Sequence, residues 1–159
     1  MPLQAIRDFS QSYYMQTNIQ RRIALETKQI LLYPVTYWDH SEASPFESIR
    51  TNGQDYGLTA KKMEEYMALY QPDPELRKNE YVAPLMAENL SNQPETLVIT
   101  AEFDPLRDEG EAYAEALQKA GNKVQVHRVN GIVHGFITYP KTAESVEEAY
   151  EVINAFLNA

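Results

Sequence analysis

The chain has 159 residues, a net charge of −9, 43% hydrophobic residues and no cysteine. Its length favours one domain with a hydrophobic core, and its apolar fraction is globular rather than disordered. The charge argues against nucleic acid or an anionic membrane surface as partner, and the lack of cysteine excludes disulfides, thiolate zinc sites and a cysteine nucleophile. The longest apolar stretch, Ile30 to Val35, contains a proline and is too short to span a bilayer. Met1 to Asp8 shows no long apolar run of the secretory type, so the expectation is a cytoplasmic protein.

In chain order, residues 1–28 read as an atypical, weakly helical segment, with Leu3, Ile6, Tyr13 and Tyr14 toward one side. Gln29 to Tyr37 is a short apolar and aromatic run that reads as a strand. Trp38 to Asn92 is polar and proline-rich, with one clear helix. Thr59 is its expected N-cap, and Leu58 and Met63 occupy hydrophobic-staple positions. Met63, Tyr66, Met67 and Tyr70 share a face, and that stripe alone reads as core. An insertion of this length between two strands is more than a connector and could form a lid over a pocket.

Thr96 to Phe103 is β-branched, bounded by Pro94 and Pro105, and reads as a second strand. A helix follows, with Asp108 as expected N-cap, Glu111 completing a capping box, and Gly121 at its C-terminal end. Lys123 to Asn130 alternates and reads as a third strand. Val146, Ala149, Tyr150, Ile153, Phe156 and Leu157 lie at helical spacing in a last helix. Strand, helix, strand, helix specifies a parallel sheet covered on both faces.

Two strand ends carry the chemistry. Asp104 follows the second strand, and His134 follows the third, between Gly131 and Gly135. Functional groups in open α/β sheets gather beyond the carboxyl ends of strands. An acid followed by a histidine, each at such an end, is the order of the last two members of a Ser…Asp…His triad. Either residue alone reads as turn chemistry or an ordinary surface histidine; the pair, in that order and context, reads as an acid–base unit. No Gly-x-Ser-x-Gly occurs in the sequence, nor any His-Gly-Gly run to supply an oxyanion hole. His127, within a strand, reads as structural, and His40 has no strand-end context. The three histidines show no metal-ligand spacing.

The stretches Ile30-Leu31-Leu32-Tyr33-Pro34-Val35-Thr36, Tyr56-Gly57-Leu58-Thr59, Tyr81-Val82-Ala83-Pro84-Leu85, Leu97 through Asp104-Pro105-Leu106-Arg107-Asp108-Glu109-Gly110, and His134-Gly135-Phe136 closely resemble the C-terminal half of the hormone-sensitive-lipase-like esterases. That family is a branch of the α/β-hydrolase fold. The resemblance implies a truncated α/β-hydrolase: three parallel strands with flanking helices and a partial cap. It divides the chain into residues 1–28 and residues 29–159, with a cap insertion over about 38–92. It implies Asp104 as catalytic acid, His134 as catalytic base, and Leu106, Val133 and Phe136 as substrate-pocket walls. It implies hydrolysis of carboxylic esters, usually of short to medium acyl chains, with no cofactor and no metal.

Two functional expectations follow. One is a C-terminal fragment or subunit of an ester hydrolase, inactive alone and completed by a complementary N-terminal hydrolase chain that carries the serine. The other is a non-catalytic interaction protein on a hydrolase fold. Either way, the apolar strand Gln29 to Tyr37 is expected to seek a neighbour, by self-association or with the complementary chain.

Overall fold

The computed structural model describes residues 27–159. The helical expectation for the N-terminal segment therefore lies outside the described residues, apart from Thr27 and Lys28. Three strands form one parallel sheet in sequence order: β1 (Lys28–Leu32), β2 (Glu95–Phe103) and β3 (Val124–Val133). Among the described residues β2 is central and β1 and β3 flank it.

β2 is buried on both faces because its residues alternate between two cores. Leu97, Ile99 and Ala101 pack with Val129, Phe136 and the buried face of helix α4 (Glu144–Asn158), namely Val146, Ala149 and Phe156. Val98 packs on the other face with Leu31 and with Tyr113, Ala114 and Leu117 of α3 (Arg107–Lys119). Tyr150 and Leu157, expected on the core face of α4, are exposed. Each fully buried Leu, Ile or Phe contributes about 1.5–3 kcal/mol of transfer free energy, so this two-sided sheet anchors what lies beyond its ends.

β1 is shorter than its apolar run because Tyr33 takes a positive φ of 37° and Pro34 has no N–H to give the ladder. β3 runs further than expected. Between Ala101 and Phe103 the sheet register slips, so the next pair after Ala101↔Val129 is Phe103↔Val133. The extra length bulges out of β3 at Gly131, whose N–H is taken up by Glu102 Oε2 at 2.6 Å. Bulges re-aim the residues that follow, and here the next residue after the strand is His134.

Between β1 and β2 lie α1 (Glu47–Asn52), α2 (Ala60–Tyr70) and two short 3₁₀ turns, Pro74–Lys78 and Pro84–Met86. α2 starts as its sequence indicates. Thr59 Oγ1 accepts the Lys62 N–H at 3.1 Å, a cap worth about 1 kcal/mol, and Leu58 packs in the same cluster as Met63. Met63 and Met67 are buried, Tyr70 packs partly buried against their cluster and Tyr66 is exposed, so the Met/Tyr stripe is core at three of its four positions. α1 has no counterpart in the sequence pattern.

α3 begins differently from expectation. Leu106, not Asp108, is its N-cap, and no side chain at that position caps it. Asp104 does the work from outside the helix: Oδ1 accepts the Leu106 N–H at 2.8 Å and its carbonyl accepts the Arg107 N–H at 3.2 Å. Asp108 turns instead toward α1, and Glu111 pairs with Thr100 and Arg128. The C-terminus ends in the expected glycine motif, Gly121 N–H bonding Gln118 and Asn122 N–H bonding Leu117. Among the described residues no helix is long and apolar enough to cross a membrane.

Candidate active site

Asp104 sits at the carboxyl end of the central strand and His134 at the end of its neighbour β3. The two side chains meet: Nδ1 of His134 lies 2.7 Å from Oδ2 of Asp104. The Asp104 side chain is 0% exposed and the His134 side chain 21%. A carboxylate only accepts, so with Asp104 ionised the bond requires the proton on Nδ1 and leaves a lone pair on Nε2. That is the tautomer a general base of the triad type needs.

The acid is fixed from several sides. Its Oδ1 is held by the Leu106 N–H. Its carbonyl and that of Glu102 both accept from Nδ2 of Asn52, at 3.2 and 3.1 Å. Ser48 Oγ donates to the Pro105 carbonyl at 2.7 Å, and the Ser48 N–H donates to Asp108 Oδ2 at 2.7 Å. α1, unforeseen in the sequence, thus grips the acid loop at both ends. Burial raises the Asp108 carboxyl, but the hydrogen bonds from Arg107 and Ser48 outweigh it and hold it below the usual carboxylate range. Tyr56, in the loop between α1 and α2, stacks on Phe103 at 4.9 Å between ring centroids.

The base sits on a looser support. Gly131 and Gly135, with φ of 70° and 83°, bracket His134 in a conformation that side-chain-bearing residues avoid. Its packing comes from Tyr33, whose ring centroid lies 4.4 Å from the imidazole.

The residues expected as pocket walls divide. Leu106 and Phe136 have no exposed surface: Leu106 packs with Val35, Met63, Met67 and Val82, and Phe136 lies in the α4 core. Both can shape a site only from behind. Val133, the residue before His134 in the chain, is half-buried.

His127 is structural as read, 2.6 Å from Glu148 of α4. His40 is not a loop bystander. It is fully buried with Nε2 2.9 Å from Glu109 Oε2, an ionic contact off the line of a hydrogen bond. The only hint in the sequence was Glu109 itself, a charge inside a motif of α3's first turn. Among the described residues, no group of three or more His, Cys, Asp or Glu side chains is placed to hold a metal ion.

Comparison with known proteins shows the family to which the chain belongs. A model of the alpha/beta hydrolase fold matches residues 13–138. The arylesterase of Saccharolobus solfataricus is 38% identical over 121 residues, covering 76% of this chain and 38% of its own length. The ethyl acetate hydrolase of Pseudomonas putida is 33% identical over 138 residues, covering 87% and 42%. A fungal esterase of Rhizomucor miehei superimposes with a TM-score of 0.80 at 35% identity, over 89% of this chain and 43% of that one. The chain therefore spans about two fifths of the length of the relatives it matches. By its sequence, its parallel sheet and its relatives, the chain belongs to the α/β-hydrolase fold family and corresponds to part of an esterase of the hormone-sensitive-lipase-like branch.

Proposed function

We propose that this chain carries the acid and base of a carboxylic ester hydrolase whose serine and oxyanion donors come from a complementary hydrolase segment. In the assembled enzyme His134 Nε2 takes the proton of that serine as its oxygen attacks the ester carbonyl. It then returns the proton to the leaving alcohol, and water repeats the cycle on the acyl-enzyme. Asp104 orients His134 and stabilises the imidazolium. One observation supports this above the others: the 2.7 Å bond between Nδ1 and a fully buried carboxylate at adjacent strand ends. The printed names of the relatives, an arylesterase and an ethyl acetate hydrolase, favour a small ester as substrate. The segment between β1 and β2 would cover the substrate as a partial cap.

Co-expression with a hydrolase segment carrying Gly-x-Ser-x-Gly and the preceding strands tests the reading. The expected result is p-nitrophenyl acetate turnover in the complex that is lost with His134→Ala and with a serine-directed phosphonate. The chain alone should show no phosphonate-sensitive turnover. A folded, assembled complex without turnover would overturn the reading and leave a non-catalytic interaction protein. Phosphonate-sensitive turnover by the chain alone would overturn the need for a complement.

A further inference from the structure

We propose that Tyr33 is a positioning residue for His134, pressing the imidazole onto Asp104 from the far side of the sheet. This rests on the acid–base reading above.

Tyr33 and His134 come from opposite edges of the sheet, and both reach over the end of the central strand where Asp104 lies. The Tyr33 ring meets the imidazole at 4.4 Å and 57°, and meets Phe136 edge-on at 5.8 Å and 68°. It thus bridges the glycine-bracketed loop of His134 to a fully buried core ring.

The backbone behind that ring is strained. A positive φ is a genuine outlier for a bulky residue, and the residue before a proline ordinarily stays extended. Such strain persists only where the surroundings over-determine it. Here they do. The Tyr33 N–H is held by the Ile99 carbonyl at 2.6 Å. The Pro34 ring lies against Gly110, where an added Cβ would stand 3.4 Å from it. Glu109 Oε1 accepts the N–H of both Thr36 and Tyr37, at 2.6 and 3.1 Å, and Thr36 Oγ1 donates to the Glu109 carbonyl at 2.8 Å. The buried Glu109 therefore ties down the turn that aims Tyr33. Burial, and then the Asp104 charge, push the phenol up to about 12, so Tyr33 stays neutral beside the pair and competes with neither partner for charge.

A base flanked by two glycines needs such a wall. Without it the ring can rotate away from Oδ2 and sample the other tautomer, with no change in the fold.

Long-range proton–nitrogen correlation spectra of the full ¹⁵N-labelled chain test this. Wild type should show His134 as one tautomer, protonated at Nδ1. Tyr33→Phe should keep that pattern. Tyr33→Leu should give an averaged pattern, with the Nδ1 proton exchanging with water up to about tenfold faster, the loss of one aromatic contact. A folded Tyr33→Leu chain with the wild-type pattern overturns the proposal. If that variant does not fold, nuclear Overhauser contacts in wild type decide: contacts between the Tyr33 ring and His134 Hδ2 or Hε1 support it, and their absence overturns it. Asp104→Asn is the separate control. An unchanged His134 pattern there defeats the acid–base reading, while the Phe-against-Leu comparison still reports on Tyr33.

Discussion

His40 Nε2 stands 2.9 Å from Glu109 Oε2, and neither side chain has any exposed surface. Burial alone lowers the His40 pKa, but the Glu109 carboxylate, helped by Glu64 and Asp39, outweighs burial and leaves it above the ordinary value. The two residues pin the chain after β1 to the first turn of α3, and the acid loop lies just before that turn.

This pair makes stability fall as pH rises. A group whose folded pKa is raised contributes fully below its unfolded pKa, about 6.5 for histidine, and loses that contribution as pH climbs through the folded value. The wild-type thermal midpoint should therefore drop relative to His40→Gln, which lacks the group, as pH rises above about 6.5. Glu109→Gln should abolish that pH dependence, because burial then dominates and the buried His40 stays neutral, while the amide oxygen can still accept the Thr36 and Tyr37 N–H groups. Parallel melting curves for wild type and His40→Gln across that range would contradict the assignment.

The grip of α1 on the acid loop gives a second expectation, at acid pH. Ser48→Ala removes the donor to the buried Pro105 carbonyl and the acceptor of the Asp108 N–H. An orphaned buried carbonyl costs about 1–3 kcal/mol. Asp108 has a depressed pKa, so its contribution is present above the unfolded value of about 3.9 and is lost as pH falls through the folded value. Asp108→Asn should flatten the acid limb of the stability curve below about pH 4. Chemical denaturation at pH 7 and in acid would read both.

In the complemented enzyme, Asp104→Asn should cut kcat by about 10⁴ while changing KM little, since the amide can hold the imidazole in the wrong tautomer. The variant also tests the fold, because Oδ1 of Asp104 starts α3. An amide oxygen can still accept the Leu106 N–H, so folding should survive with a cost within about 1–3 kcal/mol. Loss of fold with loss of activity would show that the helix-starting role dominates.

The strand-end logic was legible because it depends on local pattern: apolar runs, the turn after Phe103, and glycines around His134. The start of α3 was misread for a local reason too. Asp108 and Glu111 fit a capping box, but the Asp104 carboxylate takes the first free N–H and Asp108 is drawn to Ser48. What stayed hidden was tertiary. α1 has no apolar periodicity, since its buried residues are Ser48, Ile49 and Asn52 and two of them are polar. His40 and Glu109 are distant in sequence, and charged side chains are seldom fully buried without a partner that only the fold reveals. The bulge at Gly131 likewise needs Glu102 across the sheet to close it.

Gly53 is a packing test of that hidden α1. It closes α1 with an ordinary φ of −80°, so the constraint is space, not backbone freedom. A Cβ there would overlap the Ile49 carbonyl oxygen and stand 2.9 Å from the Ala60 Cβ. Gly53→Ala should destabilise by about 1–3 kcal/mol through overpacking. The displacement should pass to the neighbouring Asn52 and loosen its hold on the Glu102 and Asp104 carbonyls. Gly110→Ala, whose Cβ would meet nothing closer than 3.4 Å, is the mild comparison. Equal stabilities for the two variants would remove the steric argument.

The last prediction concerns the open side of β1. Among the described residues β1 pairs only with β2, leaving one edge of Ile30, Leu31 and Leu32 without a strand beside it. An apolar edge with free N–H and C=O groups is a template for another chain. In the proposed enzyme the complementary segment supplies that neighbour, and in its absence a second copy of this chain is the available one. Sedimentation at micromolar concentration should therefore show association of the chain alone. Leu32→Lys should weaken it, because a half-buried edge position can carry a charge on a flexible stem while repelling a second edge. Adding the complementary segment should compete with self-association, since both use the same edge. A monodisperse monomer with cooperative unfolding, unchanged by Leu32→Lys, would show the edge to be covered within one chain and would sink both assembly routes.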